Sequence, residues 1–354
     1  MKELVLNNTP IRTSRNFNIN NIKLKDVNIP ENITEFKNVK ISCNSSKIII
    51  DKNVSDINLE YGMSEELINQ TKNNSNSKIK IEISSLIEKE VVIEYDFDDK
   101  SDKLVSNIEI IANENTRSTV IFKFNSKENI KGYNNSVIRV FAKNNSNIKV
   151  LIINNLNTNI DNYITIENRV CDNAKLDYII IDFGGKNSIT NLYSNLIGKN
   201  ADNSINTIYF GSENQTFDLN YIAHLKGEKS NVNIEVQGAL KDNAKKNFKG
   251  TIDFKKGAKK ASGNENEACM LLSNTAKSKS LPMLLCSEED VEGNHSSSAG
   301  KIGEKELFYI MSRGFELKEA LKLMVRAKFN KIIENIKNEE LSEEILTQID
   351  KKLD

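Results

Sequence analysis

Between about residues 105 and 260 the chain repeats one phrase: a small or polar turn residue, a β-rich run, a second run and another turn. It reads TRSTVIFKF from Thr116, SNIKVLIINNL from Ser146, AKLDYIIIDF from Ala174, ADNSINTIYF from Ala201, SNVNIEVQG from Ser230 and AKKASGNE from Ala258. These anchors lie 30, 28, 27, 29 and 28 residues apart. A near-constant step is what a coiled solenoid requires, because each turn must close at nearly the same circumference to stack on the one before. Residues alternate inside each phrase, with Val150, Ile152 and Leu156 set against Lys149 and Asn154, as in strands that give one face to a shared core. The run Tyr178, Ile179, Ile180, Ile181 is apolar throughout and reads as a strand covered on both faces. A β-sandwich competes with this reading, but its hairpins call for Asn-Gly or Asp-Gly turns at closer spacing, and these are infrequent here.

Before the repeats, residues 1–77 are less regular. Ser64 followed by Glu65 and Glu66 predicts a short helix over residues 64–72. The tract Asn73, Asn74, Ser75, Asn76, Ser77 reads as a linker. The solenoid is expected over 78–300 and a helical unit over 301–354. After Gly303 the apolar spacing becomes helical, beginning with EKELFYIMSR, and Gly314 is a helix stop. A second helix follows with the stripe Leu317, Leu321, Val325, Phe329, Ile332 and Ile336. A third is expected from Ser342, with Ile345, Ile349 and Leu353 in line. Such a stripe serves either as a cap on the open end of the solenoid or as a docking site for another subunit.

The 49 Lys and Arg residues equal the 49 Asp and Glu residues, so no global field draws the chain to nucleic acid or an anionic membrane. No apolar stretch is long enough to span a bilayer, and the first residues lack the pattern of a signal peptide; a cytoplasmic chain is expected. Cys43, Cys171, Cys269 and Cys286 form no CxxC pair and read as reduced thiols. No phosphate loop, HExxH, GxSxG or dinucleotide fingerprint occurs, and the two histidines, His224 and His295, leave few acid–base triads. His224 sits in a strand and reads as structural, whereas His295, at the junction of solenoid and tail, reads either as an ordinary partly exposed histidine held by neighbouring hydroxyls or as a group that ligates iron or carries a proton. A carbohydrate-active solenoid enzyme would show carboxylates or aromatics repeating on one face, and no convincing set does so.

The succession SLPML, DVEGNH and AGKIGEKELFYIMSRGFELKEAL resembles the C-terminal signature of the SufB/SufD family of iron–sulfur cluster assembly proteins. FKGTIDFKKGAKKASGNENEACMLLS is similar to the family core, and TPIRTSRNFNI resembles the Pro-x-Arg-Thr phrase near SufD N-termini. The resemblance implies a mainly β chain, a right-handed parallel β-helix with a C-terminal α-helical domain. It also implies pairing with a SufB-like subunit through the β-helix and docking of a SufC-like ATPase on the helical tail. His295 matches the histidine implicated at the cluster interface, and Leu307, Phe308, Tyr309, Arg313 and Gly314 fall in the motif leading to the docking helices, which Leu317 and Leu321 continue. Where SufB-like proteins carry a sulfur-accepting cysteine this chain has Ala276, and where many SufD proteins have a cysteine it has Gly293. A thiolate is the nucleophile that sulfur acceptance needs. The expectation is therefore a non-catalytic, SufD-like scaffold with no stably bound cofactor, past which a transient cluster forms at the SufB interface. The alternative is a SufB-like homodimer holding the cluster with Cys269, Cys286 and His295.

Overall fold

Five corner residues of the repeat adopt the left-handed conformation immediately before an anchor of the sequence phrase: Asn115, Asn145, Asn173, Asn200 and Lys229, with φ between 52° and 58°. Asn tolerates this region better than other side chains that carry a Cβ. Each turns its N–H toward the next coil: Asn145 donates to the Asp172 carbonyl at 2.9 Å, Asn173 to Lys199 at 2.8 Å and Asn200 to Glu228 at 2.9 Å. The asparagine side chains stack in a ladder that donates the opposite way, toward the preceding coil, Nδ2 of Asn200 donating to Oδ1 of Asn173 at 2.8 Å. The following Ser146, Ala174, Ala201 and Ser230 are buried, and only a small side chain fits inside so tight a bend.

The computed structural model describes residues 3–13, 18–43, 48–86 and 90–354; Ser14, Arg15, Asn16 and Phe17 of the N-terminal SufD-like phrase lie outside them. The chain is mainly β, a parallel solenoid of about eight turns followed by C-terminal helices. Each turn contributes one strand to each of two nine-stranded sheets. The first sheet runs Val39–Ser42, Val91–Phe97, Arg117–Ser126, Asn147–Asn155, Lys175–Asp182, Asp202–Gly211, Asn231–Leu240, Ala261–Leu271, Val291–Lys301. The second runs Ile48–Asp51, Ser77–Ile83, Lys103–Ala112, Gly132–Ala142, Ile160–Val170, Asn187–Leu196, Thr216–Leu225, Lys245–Phe254, Lys277–Cys286. Coil-to-coil pairings are parallel, while Val39–Ser42 and Ile48–Asp51 close the first end in antiparallel fashion. The parallel ladders exclude the hairpin-built sandwich.

Four of the five sequence steps agree with the observed register to the residue: Asn147 lies beside Arg117, Lys175 beside Asn147, Asp202 beside Lys175 and Asn231 beside Asp202. The fifth does not. Asn231 pairs with Ser262, so the anchor opposite Ser230 is Ala261 and not Ala258. The left-handed residue of that corner is Lys260, with φ 58°, and AKKA offers an alanine on both sides of it.

Both outer faces are covered. The N-terminal region crosses the second sheet, packing Leu4, Leu6, Ile22, Leu24, Met63 and Leu67 against Val105, Tyr133, Tyr163 and Ile189. Helix α1 (Glu65–Asn74) begins as the sequence implies, with the Ser64 side chain accepting from the Leu67 N–H at 3.2 Å. It runs through Asn73 and Asn74, and the first parallel strand starts at Ser77. The expected linker is thus built into the fold, Asn76 bonding to the backbone of Thr34, Lys103 and Val105.

Helices α2 (Glu304–Ser312), α3 (Leu317–Ile333) and α4 (Glu339–Leu353) follow the last strand. Val325, Phe329, Ile332 and Ile336 of the expected stripe, joined by Leu341, Ile345 and Ile349, cover the outward face of the first sheet at Ile121, Leu151, Ile153, Ile179, Ile181, Ile208 and Phe210. That explains the continuous apolar run at Tyr178: Tyr178 and Ile180 face the lumen while Ile179 and Ile181 face the helices. Helix α4 starts three residues before Ser342 because Asn338 caps it, accepting from the Leu341 N–H at 3.1 Å. The tail covers a flank, not the open end. There Lys277–Cys286 and Val291–Lys301 each have a neighbour on one side only, and Val291–Lys301 is largely exposed.

Gly198 and Gly227 stack at one bend so closely that a Cβ on Gly227 would lie 1.8 Å from the Gly198 carbonyl oxygen. Backbone cannot yield as a side chain can, so Gly227→Ala is expected to lower unfolding free energy by about 2 kcal/mol or more in urea titrations. An unchanged midpoint would contradict the coil spacing described here.

Candidate functional site

The lumen changes character in its last two coils. One inward row of the first sheet passes through Val120, Val150, Tyr178, Ile205 and Ile234 and ends at Glu265 and His295. The next passes through Phe122, Ile152, Ile180, Thr207 and Val236 and ends at Glu267 and Ser297. Strand alternation puts Gly263, Glu265, Glu267 and Cys269 on the lumen face together.

Glu267 is completely buried and saturated with donors. Its Oε1 takes Lys246 Nζ at 2.6 Å and Tyr209 OH at 3.3 Å; its Oε2 takes Ser280 Oγ at 2.8 Å and Ser297 Oγ at 2.9 Å. Lys246, equally buried, also donates to the Lys279 carbonyl and to Ser280 Oγ. Such a pair offsets its desolvation only when the remaining lone pairs and protons are met, as they are here. Glu265 is 1% exposed, and neither carboxylate oxygen has a hydrogen-bond partner. It occupies a niche left by Gly250, where a Cβ would stand 2.2 Å from Glu265 Oε2. Burial, reinforced by the charge of Glu267, pushes its carboxyl up to about 8.

His295 lies directly beside Glu265 in the parallel register, on the exposed last strand. Its lumen orientation follows from its neighbours. A Cβ on Gly293 would meet Phe254 and Leu284, both lumen-facing, and Ser297 bonds to Glu267. Cys269 shares this floor beside Tyr209 and Ser278, and burial raises its thiol. Cys286 is exposed and donates to the Glu288 carbonyl at 2.9 Å. Among the described residues no three His, Cys, Asp or Glu side chains come together closely enough to hold a metal ion. His224 is elsewhere, buried on the outer face of the second sheet, where Tyr193 OH lies 3.2 Å from Nδ1 and Glu60 and Asp253 flank the ring. Burial, with the Lys255 charge, lowers it to about 4, so it stays neutral.

The tail motif forms a second feature. Helix α2 has no buried residue; Phe308 is 74% and Tyr309 59% exposed. Leu307 is half-buried. Arg313 stacks on Tyr309 with 5.2 Å from guanidinium to ring centroid and donates to its hydroxyl at 3.1 Å. Gly314, at φ 99°, turns the chain into α3. Phe315 and Leu317 are exposed and Leu321 is half-buried, so the early part of the expected stripe faces away from the sheet. The helical tail was legible in the sequence, whereas Glu265, Glu267 and Lys246 were not singled out; the alternation in GNENEAC was the available signal for the two glutamates.

Comparison with known proteins matches residues 96–328 to the family described as SUF system FeS cluster assembly, SufBD core domain. The iron–sulfur cluster assembly protein SufD of Bacillus subtilis is 26% identical over 181 residues, covering 51% of this chain and 41% of that protein. A SufBD family protein of Staphylococcus saprophyticus is 27% identical over 169 residues, 47% of this chain and 36% of its own length. The chain thus aligns with about two-fifths or less of these relatives. Among the described residues no helix is long and apolar enough to cross a membrane.

Glu265 gives the mouth a pH signature. Its ordinary value of 4.5 in the unfolded chain rises to about 8 when folded. Between these values the folded chain keeps a proton that the unfolded chain has released, so its contribution to stability falls as pH rises, by at most ~1.4 kcal/mol per pH unit. Urea titrations of the wild type and Glu265→Gln across that window are expected to converge toward its acid end and diverge toward its basic end, the variant gaining stability relative to wild type. A constant difference would show that Glu265 is not held protonated.

Proposed function

The chain belongs to the SufBD family of the SUF iron–sulfur cluster assembly system, and from that premise we propose that it is a SufD-like scaffold subunit, without catalytic chemistry of its own. The observation that carries this reading is the uncovered face around α2. Phe308, Tyr309, Met311, Phe315 and Leu317 stand in solvent with Arg313 laid on Tyr309, while the later half of the same tail is packed on the solenoid. Contiguous exposed aromatic and apolar side chains beside an arginine suit a protein interface, where Tyr and Arg anchors carry most of the binding energy. This face docks the SufC-like ATPase in the cytoplasm.

The open end pairs with a SufB-like subunit. Lys277–Cys286 and Val291–Lys301 present unmatched backbone groups along two edges, a template for another chain unless it is covered. His295, on this end, faces the transient cluster that is the complex's cargo. The homodimeric SufB-like alternative is less favoured by the cysteines: Cys269 is buried with its thiol held protonated, and Ala276 stands where the acceptor thiol would be.

Co-expression with the cognate SufB- and SufC-like subunits, followed by size-exclusion chromatography, is expected to give a three-component complex. Phe308→Ala with Tyr309→Ala is expected to weaken ATPase binding by at least about tenfold and leave SufB pairing intact. A chain that elutes alone, or a double variant that retains full ATPase binding, would sink the corresponding part of the proposal.

A further inference from the structure

A buried carboxylate without a hydrogen-bond partner needs an explanation, because its desolvation is compensated by nothing in the chain. Glu265 is such a group, and local donors do not supply the remedy. Lys246, Tyr209, Ser280 and Ser297 are all committed to Glu267. The niche beside Gly250 gives its oxygens space that any other residue type would fill. The residue beside it in the ladder is His295, facing the same lumen at the rim. Adjacent parallel strands are about 4.8 Å apart, a span that one cation coordinated by a side chain from each strand can bridge.

We propose that Glu265 and His295 form a two-donor landing site for a divalent first-row transition metal ion at the open mouth of the solenoid. This deepens the reading of His295 given above and rests on it. One imidazole nitrogen and one carboxylate oxygen suit ferrous, cobaltous or zinc ions better than calcium or copper(I). Two protein donors leave the other positions to water, to a sulfur ligand or to groups of a paired subunit. A site that hands its ion onward needs such incomplete coordination. The carboxylate enters as the inner donor because the last two coils replace the apolar rows ending at Ile234 and Val236 with Glu265 and Glu267. Glu267 is neutralised by Lys246, and Glu265 remains for the ion.

The test uses the full, tag-free chain titrated anaerobically with cobaltous ion, followed by visible ligand-field absorption and by thermal melting. One equivalent should bind, with a rise in melting temperature. Glu265→Gln and His295→Ala should each weaken binding by at least about tenfold and abolish the metal-dependent rise. Gln keeps the shape of the side chain, so metal-free melting of the wild type and Glu265→Gln controls for folding. No uptake by the wild type, or wild-type uptake by Glu265→Gln, overturns the proposal. Loss with Glu265→Gln but not with His295→Ala would preserve a carboxylate site and overturn the role of His295.

Discussion

Registration between coils governs this molecule, and it is set at the corners. At six successive corners a left-handed residue sends its N–H to a carbonyl of the next coil, and a buried residue follows it. A parallel solenoid has no hairpins to fix its register, so these bends take that role. Once they are aligned, side chains at equivalent positions stack in rows through the lumen and along both outer faces. The apolar rows supply the core; the polar rows supply ladders such as Asn154, Asp182 and Ser188.

The same dependence explains what was legible beforehand. Thr116, Ser146, Ala174, Ala201 and Ser230 each announce a corner because Asn, or a small residue after a polar pair, marks the bend. At the next corner Lys259 and Lys260 before Ala261 carry the same mark as Glu228 and Lys229 before Ser230, but Ala258, three residues earlier, imitates the anchor. The error is three residues, an odd number, and an odd slip exchanges the two faces of a strand. With Ala258 as anchor, Ile234 aligns with Ser262; in the structure it aligns with Glu265. The carboxylates of the mouth were therefore present in the alternation of GNENEAC but assigned to neither side until the coil was placed.

The helical tail was legible in a different way. Its stripe marks a buried face, and Val325, Phe329, Ile332 and Ile336 are indeed buried, but periodicity does not name the surface opposite. That information sits in the partner strands, where Ile121, Leu151, Ile179 and Ile208 interrupt the inward-only alternation. Sheet and tail together show that the helices lie along a flank. The first turns of α3 lie beyond this contact, which is why Leu317 is exposed while Val325 is not.

Leaving the end uncovered has an energetic consequence. A capped solenoid would place its polar atoms in water and its apolar rows beneath the cap. Here two inward rows of the first sheet turn polar in the last two coils, and a compensated ion pair, a buried thiol and an unpaired carboxylate lie directly behind the end strands. None of these improves the core as a Val or Ile in the same row would. Conversely, they make the end capable of receiving charge, which an apolar plug cannot do. The edges of Lys277–Cys286 and Val291–Lys301 bring an incoming strand directly above that layer. A chain added there would do two things at once: satisfy the open backbone groups and close the chamber over His295 and Glu265. If a chain pairs along these edges, covering them and closing access to His295 and Glu265 would occur together.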